Sequence, residues 1–282
     1  MKFSIPDFTR HKAERLPIVM VTAYDHPSAR FAEQAGVDVI LVGDSAANVV
    51  LGLDRTNAIT MNTMVVLAAA ARRGAPETLL VGDLPFLTFQ ACDEDAVRNA
   101  GRFVAEAGCD AVKLEGGRAM ARRVRAITDA GIPVIGHVGL TPQSATQLGG
   151  MRMQARTHES ALALIDDARI LQDAGAVAIV LEAIPAPIAA AVTTRLDIPT
   201  IGIGAGAACD GQVLVYHDLL GLGAGTPPSF VRRYAALGEA TRDALAHYAA
   251  DVRERRYPSA DETYRMSATE LAAFEQDLAA RG

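Results

Sequence analysis

The chain has 282 residues, of which 50% are hydrophobic, and a formal net charge of -6 at pH 7. This length and composition allow one large domain with a full core, and the acidity disfavours a nucleic acid or an anionic membrane as partner. The three cysteines lie far apart without a C-x-x-C pair, so neither a disulfide framework nor a structural zinc site is predicted. We expect a protein that acts on a small molecule.

The N-terminal segment lacks the apolar core of a signal peptide, and no run reaches the ~20 apolar residues of a membrane span. We therefore expect a soluble, cytoplasmic protein without a membrane partner.

Apolar runs that follow a glycine recur along the chain and predict buried parallel strands. Each glycine ends a helix, where the C′ position favours a positive φ. These helix ends are Ala35-Gly36, Arg73-Gly74, Ala107-Gly108, Ala130-Gly131 and Ala174-Gly175. Eight strands are predicted, near residues 17, 37, 79, 111, 133, 176, 198 and 213.

The alternation of strand and helix favours a closed (β/α)₈ barrel within a single domain, residues 1–282. An open doubly wound sheet is the structural alternative, because Gly204 to Gly211 leaves no room for a helix between the last two strands. Beyond the barrel, residues 229–282 are predicted as a C-terminal helical extension: a long helix over Ser229 to Arg256, then a shorter helix capped by Ser267. The apolar stripe of the shorter helix needs a barrel or another subunit to pack against.

Carboxylates end three neighbouring predicted strands, at Asp44, Asp83 and Glu115. In barrel enzymes this end of the strands carries the active site. Two carboxylates about 4 Å apart repel by roughly 4 kcal/mol at an effective dielectric of 20, so a cluster of three calls for a cation or bound protons. Oxygen-only ligands favour Mg²⁺ over Zn²⁺. The alternative is that each acid caps a helix or closes a turn.

Other polar residues accompany this cluster. Lys113 lies two residues before Glu115 and so faces the same side of its strand, where it could balance charge or clamp an anionic substrate. Glu182 ends the sixth strand, which we place on the far side of the ring, free to act as a base. Its alternative is a structural ion pair. His137 is interpreted as a hydrogen-bonded scaffold. With Ser45 beside the metal, this set suits enolate chemistry on a 2-oxo acid.

Six stretches resemble the ketopantoate hydroxymethyltransferase family. They are T-A-Y-D from Thr22, V-D-V-I-L-V-G-D-S from Val37, D-A-V-K-L-E-G-G from Asp110, G-L-T-P-Q-S from Gly139, I-P-T-I-G-I-G-A-G from Ile198 and C-D-G-Q-V-L-V from Cys209. The resemblance spans roughly residues 2 to 265. It implies a barrel enzyme that moves a one-carbon unit from 5,10-methylenetetrahydrofolate to 3-methyl-2-oxobutanoate.

The resemblance also implies roles for individual residues. The Mg²⁺-binding positions match Asp44, Asp83 and Glu115, the substrate-binding positions match Asp44, Ser45, Asp83 and Lys113, and the catalytic base matches Glu182. Family members are commonly homodecamers of two five-membered rings. This chain departs from the family at Ala46 to Asn48 and at Arg55, which puts the shape of the substrate pocket in doubt.

Two alternatives remain open at this point. One is a Mg²⁺-dependent lyase or mutase of the isocitrate lyase and phosphoenolpyruvate mutase type, which the missing K-K-C-G-H signature disfavours. The other is a paralogue that uses, or only binds, a different 2-oxo acid.

Overall fold

A computed structural model describes residues 2–223 and 225–282, and its eight parallel strands close into one barrel in chain order. The strands are β1 (Ile18–Thr22), β2 (Val39–Val42), β3 (Leu79–Asp83), β4 (Ala111–Glu115), β5 (Val134–Gly139), β6 (Ala178–Glu182), β7 (Thr200–Ile203) and β8 (Gly211–Leu214). β1 pairs with both β2 and β8, which closes the ring. The predicted (β/α)₈ barrel is confirmed, and the open sheet is wrong.

α-Helices follow most strands of the barrel, and two further α-helices lie in the C-terminal segment of the chain. They are α1 (Ile5–Glu14), α2 (His26–Gln34), α3 (Ala46–Val49), α4 (Met61–Gly74), α5 (Asp93–Ala107), α6 (Ala121–Asp129), α7 (His158–Asp173), α8 (Ala186–Arg195), α9 (Tyr216–Leu220), α10 (Leu237–Arg253) and α11 (Ala268–Arg281). In the described residues, no helix is both long and apolar enough to cross a lipid bilayer.

The strands divide the core into two layers because alternate residues point to opposite faces. The inner layer fills the barrel with side chains such as Met20, Leu41, Val81 and Ile135, and Phe8 of α1 joins this layer from the N-terminal side. The outer layer packs between the sheet and the helices. The inner layer is apolar at the N-terminal end and becomes polar toward the C-terminal end, where the site lies.

Gly82 shows how closely a helix approaches the sheet. A Cβ at this position would lie 2.5 Å from Cδ1 of Phe103 on α5, so only glycine lets the ring approach β3 this closely. The next residue on β3 is Asp83, which points inward. The packing of α5 therefore fixes the position of a site residue.

The interval between β7 and β8 contains no α-helix, as the spacing of residues 204–211 predicts. The neighbouring outer face of β1 is correspondingly open, and Val19 is 50% exposed although it lies in a barrel strand.

The chain divides into two compact units, one ending at Tyr234 and the other running Ala235–Gly282. The second unit contains α10 and α11, and neither helix has a buried residue. The predicted helix start at Ser229 is wrong, since α10 begins at Leu237. Phe230 instead packs against Gly204 in the first unit, which holds this segment in an irregular conformation. Ser267 caps α11 as predicted, accepting a hydrogen bond from the Glu270 amide.

Candidate active site

A cavity of about 270 Å³ lies at the C-terminal end of the barrel. Every residue that the sequence singled out lines this cavity: Asp44, Ser45, Asp83, Lys113, Glu115 and Glu182. Two larger hollows, of about 710 and 1190 Å³, are lined by other residues and contain none of these six. The clustering of the polar strand ends, and not hollow size, marks the candidate site.

Lys113 and Asp83 form a buried ion pair on neighbouring strands. Lys113 Nζ donates to Asp83 Oδ1 at 2.7 Å, and their side chains are only 5% and 2% exposed. Burial lowers the pKa of Lys113, but Asp83, Glu115 and Asp44 outweigh burial and raise it above its usual value. The ammonium therefore stays charged inside the barrel.

Asp44 lies at the turn after β2 and is buried as well. Its backbone amide donates to Asp83 Oδ2 at 3.1 Å, which ties the two acids together. Burial raises the pKa of Asp44, and the nearby carboxylates of Asp83 and Glu115 raise it further. The three acids thus lie near one another, and the Lys113 ammonium is paired with one of them.

Glu115, His137 and Glu182 lie on adjacent strands β4, β5 and β6. His137 stands between the two acids, with Nδ1 3.6 Å from Glu115 Oε1 and Nε2 3.2 Å from Glu182 Oε2. The prediction that Glu182 stands on the far side of the ring holds relative to Asp44 on the β2 side, but it is wrong relative to Glu115. β6 lies opposite β2, but only β5 separates it from β4, and the imidazole fills that gap.

The electrostatics of His137 follow from its two neighbours. Burial and the Lys113 ammonium lower its pKa, but the carboxylates of Glu115 and Glu182 outweigh them and raise it to about 9. Neither ring nitrogen makes a well-aligned hydrogen bond, and Glu115 Oε1 is also buried without one. The imidazolium is thus held between the two acids by charge attraction and not by well-aligned hydrogen bonds. The position of His137 between two acids agrees with a scaffold role, but the predicted hydrogen bonds are not well aligned.

Gln143 is a site residue to which sequence reasoning gave no role. It lies in a short 3₁₀ turn after β5, and it donates to both Glu115 Oε2 and Asp44 Oδ2, at 2.9 and 3.0 Å. The G-L-T-P-Q-S motif was the available signal, since it places a polar residue just beyond a strand end.

Ser45 pairs with a second residue that had no predicted role. Its hydroxyl lies 2.8 Å from the Tyr24 hydroxyl, and Tyr24 is almost fully buried. Burial raises the pKa of Tyr24, so this phenol keeps its proton and can hold the Ser45 side chain in place.

The donor chemistry of the site fits a hard divalent cation. Three buried carboxylates supply oxygen ligands only, and Glu115 Oε1 has no hydrogen-bond donor. Across residues 2–223 and 225–282, however, no three His, Cys, Asp or Glu side chains surround one point. Lys113 stands at Asp83, and the Gln143 amide stands at Asp44. Such a site suits Mg²⁺, which usually takes one or two carboxylates and completes its shell with water and substrate.

The departures from the family pattern mostly lie away from the cavity. Ala46 and Ala47 are fully buried in the outer core, and Arg55 is exposed. Of these positions, only Asn48 lines the cavity. Of these departures, therefore, only the Asn48 side chain contributes directly to the shape of the cavity.

The glycine run after β7 serves close packing. At Gly204 and Gly206, a Cβ would lie 2.6 Å from Phe230 Cδ1 and 2.5 Å from Ala186 Cβ. Phe230 in turn lines the cavity with Pro228 and Val231, which gives one wall an apolar surface. The sequence could not assign this wall, because it comes from a segment that was predicted to be helical.

Several solved structures share the fold of this chain at low sequence identity. A phosphonopyruvate hydrolase crystallised with oxalate and Mg²⁺ superposes with a TM-score of 0.61 at 14% identity, covering 98% of this chain and 96% of that one. A 2,3-dimethylmalate lyase, described as a member of the PEP mutase/isocitrate lyase superfamily, superposes with a TM-score of 0.60 at 19% identity. The superposition covers 100% of this chain and 98% of that one. At such identities the likeness concerns the fold alone.

Curated sequences are far more similar. Proteins named 3-methyl-2-oxobutanoate hydroxymethyltransferase from Geobacillus sp. (strain WCH70), Deinococcus radiodurans and Bacillus subtilis are 51%, 53% and 48% identical to this chain. The alignments cover 94–95% of this chain and 95–96% of each relative. A sequence profile described as ketopantoate hydroxymethyltransferase matches residues 2–260. The chain belongs to the ketopantoate hydroxymethyltransferase family.

Proposed function

We propose that this transferase moves a hydroxymethyl group from 5,10-methylenetetrahydrofolate to 3-methyl-2-oxobutanoate and forms 2-dehydropantoate (ketopantoate). About 50% identity to enzymes of that name over nearly the whole chain supports this function. The observation that carries the proposal is the cavity at the barrel rim, where an ammonium, three buried carboxylates and the partly exposed carboxylate of Glu182 line one small space. A compact keto acid needs a cationic partner for its carboxylate and a base for its C3 proton.

In this proposal, Glu182 is the base that takes the C3 proton. Its side chain is 16% exposed, more than those of Asp44, Asp83 and Glu115, so it can reach a bound substrate. His137 contacts Glu182 and is protonated at neutral pH because its pKa is about 9. The imidazolium thereby orients the Glu182 carboxylate.

Lys113, Ser45, Asp44 and Asp83 are the proposed substrate contacts. The charge of Lys113 complements the carboxylate of a 2-oxo acid, and its ion pair with Asp83 fixes where the ammonium stands. The Ser45 hydroxyl, positioned by Tyr24, can donate to a substrate oxygen. These contacts bind and orient the acid for proton removal.

Asp44, Asp83 and Glu115 are the proposed ligands of one Mg²⁺ per subunit, directly or through water. A bound divalent cation would stabilise the negative charge that develops on the keto oxygen as the proton leaves.

The experiment is isotope exchange followed by product formation. In D₂O with Mg²⁺ and without folate, we expect deuterium uptake at C3 of 3-methyl-2-oxobutanoate, observed by proton NMR. Adding methylenetetrahydrofolate should then yield ketopantoate. Cleavage of a 2-alkylmalate or phosphonopyruvate without ketopantoate formation would support the lyase alternative instead. Exchange without transfer would indicate a paralogue with another acceptor chemistry.

Three further proposals have different grounds. We propose a homodecamer of two five-membered rings from the family resemblance, a cytoplasmic enzyme from its three unpaired cysteines, and one barrel domain with a C-terminal extension at residues 229–282, whose helices begin at Leu237. The exposed apolar side chains of α11, Leu271, Phe274 and Leu278, support the oligomer because they need a partner surface. Sedimentation analysis of the full chain tests the stoichiometry.

A further inference from the structure

Gln143 hydrogen-bonds to two of the proposed metal ligands, Asp44 and Glu115, and lies behind the cavity wall. Its backbone amide donates to Glu115 Oε2, and its side-chain Nε2 donates to Asp44 Oδ2. The side chain is buried, whereas the neighbouring Pro142 lines the cavity. Gln143 is therefore placed to act on a ligand through the carboxylates and not by touching it.

Hydrogen bonds fix the orientation of the Gln143 side-chain amide. Nε2 faces two acceptors, Asp44 Oδ2 at 3.0 Å and the Leu84 carbonyl at 2.9 Å. Oε1 accepts from Gln90 Nε2 at 3.1 Å. A flipped amide would set Oε1 against a carboxylate and a carbonyl, so the amide can point only one way.

The backbone of this turn is held as well. Asn57 Nδ2 donates to the Gln143 carbonyl at 3.0 Å, from a segment 86 residues earlier in the chain. The donor to Glu115 is thus anchored independently of the side chain. One residue carries two separable contacts, a backbone contact to Glu115 and a side-chain contact to Asp44.

We propose that Gln143 is a positioning residue for the divalent cation of the proposed function. By binding one oxygen of Asp44 and one of Glu115, it fixes the rotation of both carboxylates and so strengthens cation binding. Groups that hydrogen-bond to metal ligands commonly contribute 10- to 100-fold to metal affinity. Asp83 is held differently, by the Asp44 amide and Lys113.

Two substitutions separate the contacts. Gln143→Leu removes the side-chain donor to Asp44 and leaves the backbone donor to Glu115. Gln143→Glu keeps the length but places a carboxylate oxygen against Asp44 and the Leu84 carbonyl. Gln172→Leu is a matched control, because the Gln172 amide oxygen accepts from the Asp197 and Ile198 amides near the start of β7, at the other end of the barrel.

The experiment measures Mn²⁺ binding to the full chain by electron paramagnetic resonance, without substrate. We expect Gln143→Leu to weaken Mn²⁺ binding about tenfold or more, Gln143→Glu to weaken it at least as much, and Gln172→Leu to match the wild type. Because Gln143 acts through the cation, saturating Mn²⁺ should restore kcat of Gln143→Leu. Circular dichroism and thermal unfolding check that each variant is folded, and Gln143→Met replaces Gln143→Leu if the latter does not fold.

Wild-type Mn²⁺ affinity in folded Gln143→Leu would overturn the proposal, as would equal weakening in Gln172→Leu or no Mn²⁺ binding by the wild type. Failure of the proposed function has a different signature, since the wild type would then bind Mn²⁺ but form no ketopantoate. The binding measurement and the product measurement therefore fail independently.

Discussion

Both ends of the barrel contain carboxylates at or near the ends of strands, but the two ends treat them differently. At the N-terminal end, acids accept hydrogen bonds from backbone amides of neighbouring strands. At the C-terminal end, acids face one another across a cavity. This difference distinguishes the charged groups that stabilise the fold from those that remain available to bind a ligand.

Asp210 and Glu33 are typical of the N-terminal end. Asp210 Oδ2 accepts from Lys12 Nζ at 2.9 Å and from the Thr200 amide at 2.8 Å. Glu33 Oε2 accepts from the Glu77 and Thr78 amides and from the Thr78 hydroxyl, at 2.8 to 3.0 Å. Carboxylates with several donors are stabilised as anions and tie the helices to the sheet.

At the C-terminal end, some buried polar atoms lack a hydrogen-bond partner. Glu115 Oε1 and both nitrogens of His137 are buried without a well-aligned hydrogen bond. Buried groups without partners cost about 1–3 kcal/mol each. The acids at the N-terminal end thus have more complete hydrogen bonding than those at the C-terminal end. This difference is expected where a cation and a substrate supply the missing partners. Four predictions test this comparison, in order of decreasing effect.

Glu182→Gln should abolish most of the activity and leave the free energy of unfolding nearly unchanged. Removing a general base typically lowers kcat by about 10²–10⁴-fold, and the amide keeps the shape of the carboxylate. Deuterium uptake at C3 and ketopantoate formation measure the loss, and urea unfolding measures the stability. Exchange as fast as in the wild type would show that another group removes the proton.

Lys113→Met should destabilise the fold strongly, because it leaves Asp83 buried beside two other acids. Removing one partner of a buried ion pair costs about 3–5 kcal/mol. Urea unfolding of the metal-free protein measures this effect. Lys12→Met is the matched variant at the N-terminal end, and it should cost less, since Asp210 keeps its Thr200 donors. Equal costs would contradict the difference between the two ends.

The metal-free protein should lose stability as pH rises from about 6.5 to about 9. His137 has a pKa of about 9 when folded, against an ordinary value of 6.5, so the folded state binds its proton more tightly than the unfolded chain does. This contribution is fully present below about pH 6.5 and is lost as pH rises through about 9, a change of up to about 3 kcal/mol.

Urea midpoints across this pH range, with a chelator present, measure the His137 effect. His137→Asn should flatten the profile between pH 6.5 and 9. An unchanged profile in that variant would assign the pH dependence to another group.

Glu33→Ala should cost stability alone. The substitution leaves the Glu77 and Thr78 amides without their acceptor, at about 1–3 kcal/mol. Thermal or urea unfolding measures the cost, and kcat/KM should stay at the wild-type value because Glu33 lies at the end of the barrel away from the cavity. A fall in kcat/KM would mean that the two ends are coupled.

Much of the barrel follows from local sequence patterns. Glycines at helix ends and apolar runs locate all eight strands to within about two residues of the structure. Spacing also places Lys113 and Glu115 on one face, because residues two apart on a strand point the same way. The predicted helix start at Ser229 is wrong, because helical spacing could not reveal that Phe230 packs against Gly204.

The sequence by itself determined the strands, the helix ends and the acids at the strand tips, because each depends on a period of two or 3.6 residues and on neighbours within one turn. Only the tertiary structure decided that His137 lies between Glu115 and Glu182 and that Gln143 holds Asp44. Those contacts join residues from 22 to 99 positions apart, brought together by closure of the ring. No local pattern encodes them, since they depend on which strands become neighbours and in which register.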